Sequence, residues 1–272
     1  MDKIDAPAAW TDGREDLHIT PAKLCGSVFL QTFAVFAENG RADMAHFRRK
    51  AALFRELSAR LAPRGTLAVL SVENAAMAEG REENIEQMAR AGVKLCGLVW
   101  NGGNALGGAH DTGGGLTPVG RRIVETLAAC NILVDVSHLS DQGFTDVCNI
   151  LQSYKKPFVA SHSNARKLCE NTRNLTDLQL RAIAESGGIV GVNFYPLFLG
   201  KYSSAKHIAY MIDICGEDTV AIGSDFDGIP RGYYRDCQEA AAKLEDALKG
   251  EGLSFRQIEK VLQKNALRVL GF

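Results

Sequence analysis

Four apolar runs in this chain each end on a residue that binds metals or moves protons. They are Leu67-Ala-Val-Leu-Ser-Val-Glu73, Ile132-Leu-Val-Asp-Val-Ser-His138, Phe158-Val-Ala-Ser-His162 and Val220-Ala-Ile-Gly-Ser-Asp225. A catalytic zinc takes three protein ligands from His, Glu and Asp and keeps a position open for water. Glu73, His138 and His162 are the right types. Asp225 is suited to orient that water and to carry its proton to a leaving amine. One such ending would read as a core hydrogen-bonding group or a helix cap. Four together point to a metal-hydrolase site.

Short β-branched runs read as strands buried on both faces of a parallel sheet. The candidate strands are Ile4–Ala6, Val28–Phe36, Leu67–Glu73, Leu95–Trp100, Leu133–His138, Phe158–His162, Ile189–Tyr195 and Val220–Asp225. Amphipathic helices are expected at Ala42–Leu61, Arg81–Ala91, Pro118–Cys130, Asp141–Ser153, Thr176–Ser186, Ala205–Cys215, Arg235–Lys249 and Ser254–Leu270. Ser140, Thr176 and Ser254 mark helix starts, and Gly92, Gly187-Gly188, Gly216 and Gly250 mark stops. This alternation predicts an α/β fold, a single (β/α)8 TIM barrel of the metal-dependent hydrolase type, with residues 1–272 as one domain. Barrels place their chemistry at the C-terminal ends of the strands, where all four residues fall. The glycine-rich stretch Asn101–Thr117 follows a strand end at Trp100, which favours a loop over the barrel mouth.

Composition narrows the class. A formal net charge of −1, with 46% hydrophobic and 23% charged residues, gives no reason to expect nucleic acid or an anionic membrane as partner. No run of about 18 apolar residues exists to span a membrane, and the N-terminus lacks the basic-then-apolar signal pattern. The seven cysteines form no CxxC pair and sit in apolar patterns, as core thiols of a reducing cytoplasm do. No GxGxxG follows the first strand, so a dinucleotide site is not expected.

Several motifs together resemble the membrane (renal) dipeptidase family, peptidase family M19. They are Asp135-Val-Ser-His138, Ala160-Ser-His-Ser-Asn-Ala-Arg166, Arg173-Asn-Leu-Thr-Asp177, Val192-Asn-Phe-Tyr195 and Gly223-Ser-Asp-Phe-Asp-Gly228. Trp100-Asn-Gly-Gly-Asn-Ala-Leu-Gly107 and Gly114-Gly-Leu-Thr-Pro-Val-Gly120 are similar to its bacterial branch. The resemblance implies an amidohydrolase-type barrel, a two-zinc site and hydrolysis of small dipeptides, some with a D-residue at the second position. It implies Glu73 as the carboxylate bridging both metals, His138 and His162 as ligands of the second, and Asp225 as proton carrier. Arg173 would hold the substrate's C-terminal carboxylate in a bidentate grip, with Tyr195 lining the same pocket. A homodimer is a further expectation from the family.

Two departures qualify this. The family's first strand carries a His-x-Asp metal pair; here the segment is Lys3-Ile4-Asp5, so Asp5 persists as a weak ligand candidate while Lys3 replaces the histidine. An ammonium has donors only and cannot ligate a metal until deprotonated. Three outcomes stay open. A single zinc on Glu73, His138 and His162 can suffice, and one ion is favoured over two. Lys3 can stand in for the first metal's charge beside Asp5 and Glu73. Or hydrolysis is lost, or directed at another small amide, and the pocket binds a ligand. His18 lies in a segment beyond the ligand pair, so it is a poor substitute. Trp100 stands where animal relatives have a histidine facing the oxyanion; its indole N–H can donate one hydrogen bond, so a contact or shape role is expected. His110, on the glycine-rich loop, is expected to face solvent.

Overall fold

In a computed structural model of the chain the described residues are 17–36, 43–230 and 232–272, together with the backbone of residues 2–3. Eight parallel strands follow one another: β1 (Asp2–Lys3), β2 (Leu30–Phe36), β3 (Leu67–Glu73), β4 (Val93–Gly97), β5 (Leu133–Asp135), β6 (Phe158–Val159), β7 (Val190–Val192) and β8 (Val220–Ile222). Strands β1 to β6 form one sheet in sequence order, β7 and β8 pair separately, and a parallel bridge from Ala160 to Val190 joins the two. This is the strand order of a (β/α)8 barrel, with the seam between β8 and β1 carrying no ladder among the described residues. The expected strand Ile4–Ala6 lies outside the described residues; β1 sits just before it, with Asp2 opposite Phe33 and Lys3 opposite Ala34.

Helices cover the outside: α1 (Pro21–Leu24), α2 (Met44–Leu61), α3 (Glu82–Arg90), α4 (Pro118–Ala129), α5 (Asp141–Tyr154), α6 (Asp177–Glu185), α7 (Pro196–Leu199), α8 (Ser204–Cys215), α9 (Cys237–Gly250), α10 (Phe255–Glu259) and α11 (Asn265–Leu270). The three expected starts are real caps. Ser140 accepts from the Gly143 N–H, and Thr176 and Ser254 form reciprocal capping boxes with Gln179 and Gln257. Each long helix turns one stripe inward, as α4 does with Ile123, Val124, Leu127 and Ala128. The last expected helix is not continuous. A π turn at Lys260–Lys264 separates α10 from α11, and the buried Asn265 beyond it donates to the carbonyls of Glu217 and Val220 at 2.8 Å each. Such π turns accommodate one extra residue per turn, here where the helix meets the start of β8.

The ladders stop earlier than the apolar runs. Only Glu73 lies within a strand; Trp100, His138, His162, Tyr195 and Asp225 each stand three residues beyond one. The cause at β5 and β6 is Asp135. Its buried carboxylate accepts the backbone N–H groups of Ser137 at 3.0 Å and Ser161 at 2.9 Å, drawing both chains out of ladder geometry. His138 and Asp225 then take left-handed backbones, with φ of +71° and +59°. A cavity of about 410 Å³ opens elsewhere, lined by Leu30, Leu133, Ile189 and Leu270 among others, and none of the three candidate metal donors lines it.

Two glycines set how closely β7 and β8 approach the end of β6. A Cβ on Gly191 would lie 2.1 Å from the Ser161 carbonyl oxygen, and one on Gly223 1.9 Å from the same atom. Backbone must move to admit a methyl at either place, and such overpacking costs about 1–3 kcal/mol. Gly223→Ala is therefore expected to lower the unfolding free energy by about that amount in urea titrations. A variant within about 0.5 kcal/mol of the parent would show that β8 is free to shift.

Candidate metal centre

Glu73, His138 and His162 arrive from the ends of β3, β5 and β6 and are all buried. One donor atom from each lies within 4.8 Å of the others, which makes this the group of metal-ligating side chains found among the described residues. His138 Nε2 is 3.0 Å from His162 Nε2 and 3.1 Å from Glu73 Oε1, while His162 Nε2 is 3.9 Å from that same oxygen.

Partners on the far side of each ring settle which nitrogen carries the proton. His138 Nδ1 is 3.0 Å from the side-chain oxygen of Asn101, an acceptor only, so Nδ1 is the N–H. The Ser161 hydroxyl donates to Asp135 Oδ2 in a short hydrogen bond and so accepts, at 2.7 Å, from His162 Nδ1–H. Each ring, in its neutral form, therefore turns the lone pair on Nε2 toward the Glu73 carboxylate. Electron pairs converging at such separations repel unless a proton or a metal ion sits among them. The donor set also fits: tetrahedral zinc with ligands at about 2.0–2.1 Å spaces them about 3.3 Å apart. Two imidazoles whose other N–H is tied to an amide oxygen or a hydroxyl–carboxylate pair have the outer partners of metal-binding histidines.

Asp225 is buried nearby, its Oδ2 accepting from the Asn193 amide at 3.0 Å. Burial pushes its carboxyl up to about 6, the charge of Glu73 adds to the rise, and the Asn193 hydrogen bond and Arg173 oppose it. Arg173 is 4% exposed, a rare depth for a guanidinium. It lies 5.4 Å over the Phe198 ring, with Nη2 3.4 Å from the His162 carbonyl. Burial lowers its pKa, while Asp225, Glu73 and Asp135 hold it up. Tyr195 packs edge-on against the same Phe198 at 5.0 Å, so Arg173, Phe198 and Tyr195 form one wall. Trp100 meets Phe36 edge-on at 5.0 Å and the His138 ring at 6.4 Å, beside the metal donors.

Three expectations need comment. His110 does not face solvent: its ring is half-buried, 6.1 Å from that of His138, and bonded at both nitrogens. Burial and the neighbouring Arg173 push its pKa down to about 4, so it is neutral near pH 7. His18 is not in the cluster of metal-ligating side chains found among the described residues; it stacks on Phe226 and lies 2.9 Å from Asp227 Oδ1. Asp5 and the Lys3 side chain lie outside the described residues. The orienting residues Asp135, Ser161, Asn101 and Asn193 were assigned no role from sequence. Their signal was local: a carboxylate three residues before His138 and a hydroxyl directly before His162.

A parallel barrel with three buried N and O donors converging beyond its strand ends defines a metal-dependent hydrolase of the amidohydrolase type. Residues 30–272 match the model of the membrane dipeptidase family, peptidase family M19, and the chain belongs to that family. It is thereby a metallodipeptidase-like hydrolase. The solved dipeptidase AC, a metallopeptidase of family M19, superposes with a TM-score of 0.83 at 27% identity over 97% of this chain and 91% of that one. A metallopeptidase from Rhodobacter sphaeroides, solved with a phosphinate mimic of the dipeptide L-Ala-D-Ala, gives 0.81 at 26% over 97% and 92%. An uncharacterized protein in the pqqA 5′ region of Klebsiella pneumoniae is 39% identical over 74% of this chain and 80% of its own length. An uncharacterized dipeptidase of Schizosaccharomyces pombe is 32% identical over 68% of this chain, which spans only 48% of that relative.

The raised carboxyl of Asp225 has a consequence for stability. Its folded pKa of about 6 exceeds the reference 3.8, so its contribution is fully present below pH 3.8 and is lost as pH rises through 6. A shift of that size corresponds to on the order of 3 kcal/mol. In the metal-free protein, Asp225→Asn is expected to be stabilising relative to the parent at pH 7.5 and to lose that advantage at pH 4. Equal differences at both pH values in urea titrations would show that Asp225 ionises without penalty.

Proposed function

We propose that this protein is a zinc-dependent dipeptidase holding one zinc per chain on Glu73, His138 and His162. The observation that carries the reading is the pair of histidines whose outer nitrogens are tied, leaving both Nε2 lone pairs and the Glu73 carboxylate facing one point. Zinc bound there would act as a Lewis acid, polarising a carbonyl and acidifying water. The chain's own groups supply the rest. Asp225, with a carboxyl near 6, exchanges protons close to neutral pH, taking one from water and passing it to the leaving amine. The Asn193 amide fixes that carboxyl from below. Arg173, held rigid against Phe198, pairs with the substrate's terminal carboxylate in a fork geometry, and Tyr195 shapes the pocket beside it. Trp100 closes the side nearest His138.

A carboxylate clamp this close to the metal donors favours a substrate with one residue after the scissile bond. The Rhodobacter relative's phosphinate ligand mimics L-Ala-D-Ala, which supports dipeptides with a D-residue at the second position. Lys3, where the resemblance implies a histidine, and Asp5 would add one charge of each sign in place of a second metal. We place the enzyme in the cytoplasm: none of the seven cysteines is in a disulfide. Among the described residues no helix is long and apolar enough to cross a membrane.

Elemental analysis of the purified protein, alongside hydrolysis of L-Ala-L-Ala and L-Ala-D-Ala with added zinc, tests the proposal. One zinc per chain is expected, with chelation and His138→Ala both reducing hydrolysis to background. Arg173→Met is expected to raise KM for dipeptides about 10–100-fold, the worth of a hydrogen bond to a charged group. Tight zinc binding without turnover of any dipeptide would instead favour a ligand-binding homologue, and two tightly held zincs would remove Lys3 from the site.

A further inference from the structure

His110 reaches the site from a loop whose shape depends on glycine. In the glycine-rich loop, a Cβ on Gly108 would fall 1.6 Å from the Gly113 carbonyl oxygen, so the two limbs touch backbone to backbone. The loop is pinned at its base, where the Asn104 amide donates to Leu98 O and Asn74 Oδ1 at 2.9 Å each. It is pinned again at its tip, where the His110 N–H donates to the His138 carbonyl at 2.8 Å. That second bond grips a residue in the left-handed backbone region, at φ +71°.

The His110 side chain extends the grip in two directions. Nε2 is 3.2 Å from Asn101 Oδ1, the same oxygen that takes His138 Nδ1–H at 3.0 Å. An amide oxygen only accepts, so Nε2 is the N–H and Nδ1 is bare in the neutral ring. Nδ1 lies 2.9 Å from Thr172 Oγ1, which must then donate to it. A directed chain results, from Thr172 through His110 to Asn101, with His138 joining from the other side. Thr172 immediately precedes Arg173. One side chain thus connects the loop carrying the guanidinium with a candidate metal donor.

We propose that His110 is a positioning residue that fixes the separation between His138 and Arg173, and so restricts the site to one residue beyond the scissile carbonyl. The inference rests on the dipeptidase reading for its substrate and on geometry alone for its effect on His138. One added residue extends a peptide by at most about 3.3–3.6 Å. A fixed span therefore separates dipeptides from tripeptides, whereas a span free to stretch does not.

The test compares His110→Ala with His110→Gln, whose amide has both a donor and an acceptor, and with Thr172→Val at the exposed end of the chain. Zinc affinity is read by competition with a chelating dye on metal-free protein, a measurement that needs no turnover. Loss of an outer partner of a metal-binding histidine lowers metal affinity about 10–100-fold, and loosening Asn101, the outer partner of His138, by removing its His110 bond is expected to cost part of that, several-fold or more. That loss is expected for His110→Ala, with substantial recovery in His110→Gln and near-parental affinity in Thr172→Val, which leaves the bond to Asn101 intact. In steady-state assays His110→Ala and Thr172→Val are both expected to raise KM for L-Ala-D-Ala more than they change kcat, and to narrow its advantage over a tripeptide. The proposal is overturned if His110→Ala binds zinc within twofold of the parent, or if Thr172→Val leaves both KM and the dipeptide preference unchanged. A parent protein that binds zinc yet cleaves no dipeptide would sink the functional reading, while the dye competition still decides the role of His110 toward His138.

Discussion

Everything in this barrel mouth follows from holding two imidazole lone pairs and a carboxylate face to face in a buried space. No apolar packing favours that arrangement, and it holds only with a proton or a metal ion among the three groups. The surrounding residues therefore fix each group from behind. Asn101 takes the outer N–H of His138, Ser161 that of His162, and Asp135 takes the Ser161 hydroxyl together with two backbone N–H groups. Asp135 thus orients a candidate ligand and ends two strands at once. Replacing it would disturb the site and the fold through the same atoms, so separating its two roles by mutation requires changing Ser161 instead.

The donors gain their convergence by leaving the sheet. A side chain within a ladder points alternately in and out of the barrel, which suits Glu73 but spaces neighbours too widely for three donors to meet. His138 and Asp225 turn inward from left-handed backbones, conformations that cost about 1–3 kcal/mol each in residues other than glycine. Such conformations persist only where neighbours over-determine them. For His138 the neighbour is the glycine-rich loop, through its N–H to the carbonyl and the bridge between Ala109 and Leu139. For Asp225 it is the following turn, where the Gly228 N–H returns to the Asp225 carbonyl at 3.0 Å. The loops are therefore part of the catalytic scaffold.

Strand order, most helices and the three candidate metal donors are legible in the chain because each rests on a local pattern. Alternation of apolar runs with amphipathic stretches is carried by every residue in them, and Ser140, Thr176 and Ser254 cap their helices as their types require. What could not be read depends on contacts distant in sequence. Where a ladder stops is decided by Asp135 reaching Ser161, 26 residues away. His110 looks like a solvated loop residue until Thr172, 62 positions on, is brought to its Nδ1. The break between α10 and α11 depends on Asn265 finding carbonyls near β8, a demand that helical periodicity does not register. The resemblance of the motifs suggests residue roles, but not the hydrogen bonds that surround those residues.

Charge balance links the candidate metal donors to Asp225. Around the site lie three buried carboxylates, Glu73, Asp135 and Asp225, and one buried guanidinium, Arg173. Among these four side chains the carboxylates outnumber the guanidinium, and the charge of Glu73 raises the Asp225 carboxyl. Partial protonation of Asp225 near pH 6 relieves some of this without a metal, at the expense of the base. A divalent ion held by the nearby donors would lower the same like-charge cost and favour ionised Asp225. A cation held by Glu73, His138 and His162 would thereby also favour the charged form of Asp225, the proposed proton carrier.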